Sequence, residues 1–481
     1  MSSVVRNLEP RAVWNYFADL NAIPRPSKGE EQAALFLVDF GQKAGLETFR
    51  DAFGNVIIRK PASPGREHHT PVILQSHIDM VHQKNKETQF DFDTQGIEMY
   101  VDGDWVRAKG TTLGADNGLG VASIMAILTS KDMVHPPIEA LFTLDEEAGM
   151  GGAKNLGRGL LNGKILLNLD TEEDHVFTIG CAGGLDTNIS WKYTEVATAA
   201  GAQGVQIAVK GLKGGHSGMD IIHGRGNANK LINRLLRAVE GAGVQVHAVE
   251  GGGVRNAIPR ESKAIVAVTD VAVFQQATAA LKAEILAEYS GIEPDLSIEI
   301  TACATPEKVM SPQAQQQLLT ALSAVHNGVF RMSPDVEGLV ETSSNLAHVA
   351  IKNGHFECAT LQRSAIESGK SEVAAAVRAP FDLIGAEVQT ANGYPGWKPN
   401  PHSAVLARME AVYHEMFGDK PVVEACHAGL ECGIIAEGYP GLDMISFGPD
   451  IRNAHSPDEC ASISSMQKFW SFLTTVLSTL P

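Results

Sequence analysis

Pro71-Val72-Ile73-Leu74-Gln75-Ser76-His77-Ile78-Asp79 runs from a short apolar stretch into a histidine and an aspartate. Such a stretch predicts a buried strand over residues 71–74. On an extended backbone His77 and Asp79 fall on the same side, two residues apart, so Asp79 is placed to orient the imidazole. Taken alone, a His-x-Asp is as readily a histidine satisfied by a loop aspartate, and the surrounding sequence has to decide.

Upstream, Ser27 followed by Glu30 and an apolar-periodic run predicts a capped helix over 33–44, with a strand over 55–59 after it. Downstream, a helix is expected over 118–128 and strands over 138–144 and 164–169. Strands alternating with helices imply an α/β sheet. Histidine and acidic residues follow those strands closely: His77 and Asp79, then Glu146 and Glu147, then Asp170. Open α/β sheets bind ligands at that carboxyl edge. Near the end of the chain, a helix over 404–417, a strand over 444–447 and a loop carrying His455 bring a second histidine back to the same edge.

A chain of 481 residues exceeds the usual growth of one hydrophobic core, so two domains are expected. The pattern changes around 180–191, and the turn formers of Asn-Gly-Tyr-Pro-Gly-Trp-Lys-Pro-Asn-Pro-His at 392–402 mark a return. The expected division is a first domain in two parts, 1–185 and 397–481, with 186–396 inserted. Within the insertion, 205–300 and 337–388 each read as strands wrapped around a helix, which admits an internal duplication that is not detectable as sequence identity.

A net charge of -17 disfavours nucleic acid and anionic lipid as partners. No stretch has signal-peptide or membrane-spanning character, so a cytoplasmic protein is expected. The 6 cysteines are scattered without a Cys-x-x-Cys pair, against a zinc ribbon or a disulfide framework.

In Leu113-Gly114-Ala115-Asp116-Asn117-Gly118, glycines flank one aspartate just before a helix, where they permit close approach to a bound group. The competing reading is a helix-capping aspartate. Asp145-Glu146-Glu147 puts three adjacent carboxylates at a buried strand end, where they repel one another unless cations or donors neutralise them. Asp170 and His455 add one further ligand each. Two imidazoles with several carboxylates form a mixed nitrogen and oxygen set that suits zinc, cobalt or manganese and leaves positions open for water.

With Gln75-Ser76-His77-Ile78-Asp79-Met80-Val81, Gly114-Ala115-Asp116-Asn117-Gly118 and Gly214-Gly215-His216-Ser217-Gly218 in place, the chain resembles the dinuclear zinc metallopeptidase clan over nearly its whole length. That clan includes carnosinases, peptidase T, peptidase V and glutamate carboxypeptidase, and the nearest resemblance is to its aminoacyl-histidine dipeptidase (peptidase D) group. The resemblance implies a zinc-peptidase-like α/β catalytic domain, a mixed sheet flanked by helices, with an inserted α+β lid or dimerisation domain. It implies two divalent ions per subunit, Zn2+ foremost with Co2+ or Mn2+ able to substitute. Asp116 would bridge them, with His77 and Asp170 completing one site and Glu147 and His455 the other. Asp79 would orient His77, and Glu146 would act as general base on a water activated by two metals.

It further implies that His216 reaches across a homodimer to stabilise the oxyanion, that Asn256 and Arg363 hold the substrate, and that Glu431 contacts its amine. The implied reaction is hydrolysis of dipeptides, Xaa-His (carnosine-like) ones preferred. An N-acyl amino acid deacylase on the same scaffold is the alternative, since clan members share the metal ligands and differ in the pocket. A non-catalytic binding protein is disfavoured because Glu146 and every ligand are present.

Overall fold

The computed structural model describes residues 2–481. They form two compact units, one made of residues 2–180, Pro399–Ala425 and Leu430–Pro481, the other of Cys181–Lys398 and Cys426–Gly429.

The first unit is built on an eight-stranded mixed sheet. Its order is Glu47–Arg50, Val56–Lys60, Ile138–Thr143, Val72–His77, Ile165–Asn168, Asp443–Ser446, Val176–Cys181 and Val422–Cys426. The central strands Ile138–Thr143, Val72–His77, Ile165–Asn168 and Asp443–Ser446 run parallel to one another, with His77 in register with Thr143 and Gln75 with Asn168. Every residue of Val72–His77, Ile138–Thr143 and Ile165–Asn168 is buried. This is the near-continuous apolar signature of strands covered on both faces. Parallel strands share one carboxyl edge, so the segments after all four leave the sheet on the same side.

Helix Ala115–Thr129 is buried almost all round, as suits an interior helix, and packs with Arg11–Asn21 in the core that contains Trp14, Phe17, Leu119 and Leu37. Phe177, Tyr413, Phe447 and Phe472 pack ring against ring, Tyr413 from helix Ala404–Phe417 and Phe472 from helix Ile463–Thr479. A smaller four-stranded sheet orders Ile451–Arg452, Cys460–Ser462, Trp105–Ala108 and Met99–Asp102, and so pins both ends of the loop that carries His455.

One expected detail is corrected. Helix Glu31–Lys43 forms, but Ser27 does not cap it; the residue at its N-cap is Glu30, which makes no side-chain cap. Ser27 Oγ instead donates to Asp79 Oδ2 at 2.8 Å, because the chain at Pro26 runs beside Met80.

The second unit holds one large antiparallel sheet in the order Ser297–Ala302, Gln203–Lys210, Ser262–Val268, Val244–Gly252, Val340–Lys352, His355–Ser364, Gly183–Lys192 and Glu387–Tyr394. Strand Gly328–Met332 pairs beside Val340–Lys352. Helices Ala228–Ala238, Pro312–Ala324 and Glu367–Asp382 contribute Leu235, Leu318 and Phe381 to its own apolar core. Among the described residues no helix is long and apolar enough to cross a membrane.

Candidate active site

His77 ends its strand, and its ring is fixed from behind: Nδ1 lies 3.1 Å from the Asp79 carbonyl and 3.3 Å from Asp79 Oδ1. A proton held at Nδ1 leaves the Nε2 lone pair facing forward, the arrangement that orients a metal-binding histidine. Nε2 points at Asp116 Oδ1 (3.1 Å) and Asp170 Oδ1 (3.4 Å). The other oxygen of the same carboxylate, Asp116 Oδ2, lies 3.1 Å from His455 Nε2, which is also 3.0 Å from Glu147 Oε1. Asp116 thus stands between two histidines and offers one oxygen to each.

Local backbone explains how these side chains converge. Gly114 sits at φ 70 before helix Ala115–Thr129, and Asp116 (φ -79, ψ 111) is not yet helical, so its carboxylate projects sideways instead of following the helix surface. Asp145 (φ 55) and His455 (φ 63) both hold left-handed backbone without being glycine. Such conformations cost roughly 1–3 kcal/mol and persist where surrounding structure imposes them. Asp79 also receives Glu146 N–H on Oδ1 (3.0 Å) and Glu147 N–H on Oδ2 (3.2 Å), so one carboxylate aligns His77 and the acidic turn together.

Among the described residues, His77, Asp116 and Asp170 form one group whose ligand atoms lie within 4.8 Å of one another; Asp116, Glu147 and His455 form a second, and His77, Glu146 and Glu147 a third. The charges fit a cation. Four carboxylates (Asp116, Glu146, Glu147, Asp170) meet only two imidazoles. Glu147 Oε1 is buried and makes no well-formed hydrogen bond, and it lies 3.0 Å from His455 Nε2, a spacing at which an oxygen and a nitrogen can share one ion.

The pKa shifts follow the same crowding. Burial opposes charge on His77, but Asp170, Asp116 and Asp79 outweigh it and hold the ring well above its ordinary range. Asp116 and Glu147 push His455 up to about 11. Burial, reinforced by Asp170, Glu431 and Glu147, raises Glu146 well above a normal carboxyl, and burial raises Glu147 as well.

A family model described as peptidase family M20/M25/M40 matches residues 73–479. The chain belongs to that family.

The M20 chain is 40% identical to the cytosol non-specific dipeptidase of Escherichia coli (strain K12), over 100% of this chain and 99% of that protein. The crystal structure of aminoacylhistidine dipeptidase from Vibrio alginolyticus superposes with a TM-score of 0.94 at 44% identity, covering 100% of this chain and 99% of that one. Aminopeptidase PepT from Bacillus cereus shares the fold at a TM-score of 0.58 and 16% identity, covering 98% of each chain.

The other candidate residues of this M20 peptidase fall in two places. Glu431, expected at the substrate amine, is fully buried in the first unit; its Oε2 accepts from Gln75 Nε2 (2.7 Å) and Thr143 Oγ1 (2.6 Å), and Oε1 has no partner. Burial is the first cause of its pKa rising to about 7. His216, Asn256 and Arg363 gather in the second unit. His216 Nδ1 accepts N–H groups of Gly218 (3.2 Å) and Met219 (3.1 Å), which leaves the ring proton on Nε2. Buried Arg363 reaches the Tyr394 hydroxyl (3.1 Å) and lies 3.4 Å from His216 Nε2. Asn256 is exposed, and its carbonyl accepts Ser217 N–H at 2.8 Å.

Several residues that touch these candidates, or the backbone that carries them, gave little or no signal in the sequence. Asn117 donates from Nδ2 to Asp170 Oδ1, and only its place in the glycine-flanked turn hinted at it. Tyr394 lies in the turn-rich stretch read only as a crossing between domains. Arg25 and Glu459 gave no signal in the pattern.

Proposed function

We propose that this M20 peptidase hydrolyses dipeptides, with Xaa-His substrates such as β-alanyl-histidine preferred, using two divalent ions and Glu146 as general base. The observation that carries the reading is the Asp116 carboxylate, whose two oxygens each face a different histidine Nε2 at 3.1 Å. Full-length similarity to two dipeptidases supports the reaction, and the name of the Vibrio protein supports the histidine preference.

His77, Asp116 and Asp170 would hold one ion and Asp116, Glu147 and His455 the other, with Zn2+ first and Co2+ or Mn2+ as substitutes. Two such ions supply an acidified water and an electrophilic grip on the scissile carbonyl. Asp79 keeps the His77 proton on Nδ1. Glu146 accepts the proton of the attacking water and delivers it to the leaving nitrogen; its raised affinity for protons suits both transfers. Glu147 is engaged with His455, so the neighbouring Glu146 is the carboxylate free to carry the proton.

His216, Asn256 and Arg363 are assigned to substrate binding, His216 as an oxyanion donor through Nε2–H in a homodimer with the second unit as lid and dimerisation domain. Arg363 suits a carboxylate by its paired donors. Glu431 remains assigned to the substrate amine, which it would have to reach from its buried place. A cytoplasmic location accords with the cytosolic relative.

The test is kcat/KM for β-alanyl-histidine and alanyl-histidine against dipeptides without histidine, with light scattering for oligomeric state. A preference for the histidine dipeptides in a dimer is expected. Equal rates on all dipeptides would remove the Xaa-His preference, and a fully active monomer would remove the role given to His216.

A further inference from the structure

Three segments must be in register for Asp116 to face both histidines: residues 77–79, residues 113–116 and residues 453–459. Two buried, oppositely charged side chains tie them together. The Glu459 carboxylate accepts four successive backbone N–H groups: Leu113 (2.7 Å) and Gly114 (3.0 Å) on Oε2, Ala115 (2.8 Å) and Asp116 (3.3 Å) on Oε1. Glu459 follows His455 by four residues on the same loop, so this carboxylate joins the His455 loop directly to the backbone of Asp116.

Arg25 acts on the other side of the turn. Its Nη2 donates to the Gly114 carbonyl (2.6 Å) and Asn21 Oδ1 (2.9 Å), and its Nη1 to the carbonyls of Ile78 (2.8 Å) and Asp79 (3.3 Å). Glycine at 114 is required here: a Cβ would fall 2.5 Å from Arg25 Nη2.

We infer that Glu459 is a positioning residue that sets the separation of the two metal sites, by locking the His455 loop to the Asp116 backbone, with Arg25 locking the same backbone to the His77 strand. The inference rests on the metal-peptidase reading above. A carboxylate that merely satisfied the first N–H groups of helix Ala115–Thr129 could come from anywhere. This one comes from the loop of the second histidine, so its loss moves His455 relative to Asp116 while leaving His77 and Asp170 in place.

The experiment is a calorimetric titration of chelator-treated full-length protein with Mn2+, comparing wild type, Glu459→Gln and Glu459→Asp, with the melting temperature of each metal-free form. Outer partners of metal ligands typically contribute about 10–100-fold in affinity. Wild type is expected to bind two ions per chain. In Glu459→Gln one site should keep its affinity and the other should weaken by about 10–100-fold, with Glu459→Asp partly restoring it. A purely helix-capping role would lower the melting temperature and leave both affinities unchanged, and that result overturns the inference. Should Glu459→Gln fail to fold, Glu459→Asp decides by the same criterion, unequal weakening supporting it and two wild-type affinities overturning it. A wild-type chain that binds no ion overturns the metal-centre reading itself, and this inference with it.

Discussion

Replacing Glu431 by glutamine should make the metal-free protein less sensitive to rising pH. Glu431 has no exposed surface, and burial, with Asp170 and Asp79 adding to it against His77 and Thr143, lifts its pKa from 4.5 to about 7. The folded chain therefore holds this proton more tightly than the unfolded chain. Stability is full below 4.5 and is lost as pH rises through about 7. At about 1.4 kcal/mol per tenfold change in proton affinity, the loss attributable to Glu431 is roughly 3 kcal/mol. Glutamine copies the protonated acid: its oxygen can accept from Gln75 and Thr143, and its NH2 takes the place of the unpartnered Oε1. Urea unfolding of chelator-treated protein from about pH 5 to about pH 8 is the assay. Other buried carboxyls titrate in both proteins, so the quantity to read is the difference between them. Glu431→Gln should lose about 3 kcal/mol less than wild type across that range. Parallel profiles would show that the buried carboxyl carries no desolvation cost, contrary to this expectation.

Two further outcomes follow from the geometry. Gly114→Ala places a Cβ 2.5 Å from Arg25 Nη2 at a left-handed φ, so the metal-free protein should lose more than the roughly 1–2 kcal/mol of the backbone term alone, read as a lower urea midpoint. Asp79→Asn removes the charge beside His77 Nδ1 and turns one of the two oxygens that accept Glu146 N–H and Glu147 N–H into a donor, so Mn2+ affinity should fall about 10–100-fold while circular dichroism stays that of the wild type.

The sheet and its reactive edge were legible because buried parallel strands are apolar without alternation, and the change to histidine or acid marks where each one ends. Helix Ala404–Phe417 falls on the residues expected from its periodicity. Strand Val72–His77 runs through His77, beyond the expected 74, because Gln75 and Ser76 are buried polar residues within it. The small sheet that pins the His455 loop was not anticipated: Met99–Asp102 and Trp105–Ala108 are short, and their partners Ile451–Arg452 and Cys460–Ser462 lie more than three hundred residues away. Arg25 and Glu459 were illegible for a related reason. A buried charge is recognised by what surrounds it, and their partners are mostly backbone N–H and C=O groups, which every sequence possesses. Ser27 misled because Ser-x-x-Glu fits a capping box, while its hydroxyl is taken by Asp79 from a distant strand end.

In the proposed reaction, water activated at the Asp116-centred site cleaves a dipeptide with Glu146 carrying the proton. Its most direct test is hydrolysis of β-alanyl-histidine and of an N-acetyl amino acid by metal-free protein, before and after addition of Zn2+, Co2+ or Mn2+, with Glu146→Ala alongside. The expected result is β-alanyl-histidine cleavage that appears with metal and falls by about 100-fold or more in Glu146→Ala. Turnover of the N-acetyl amino acid alone would assign the chain to the deacylases, and metal-independent cleavage, or full activity in Glu146→Ala, would contradict the account.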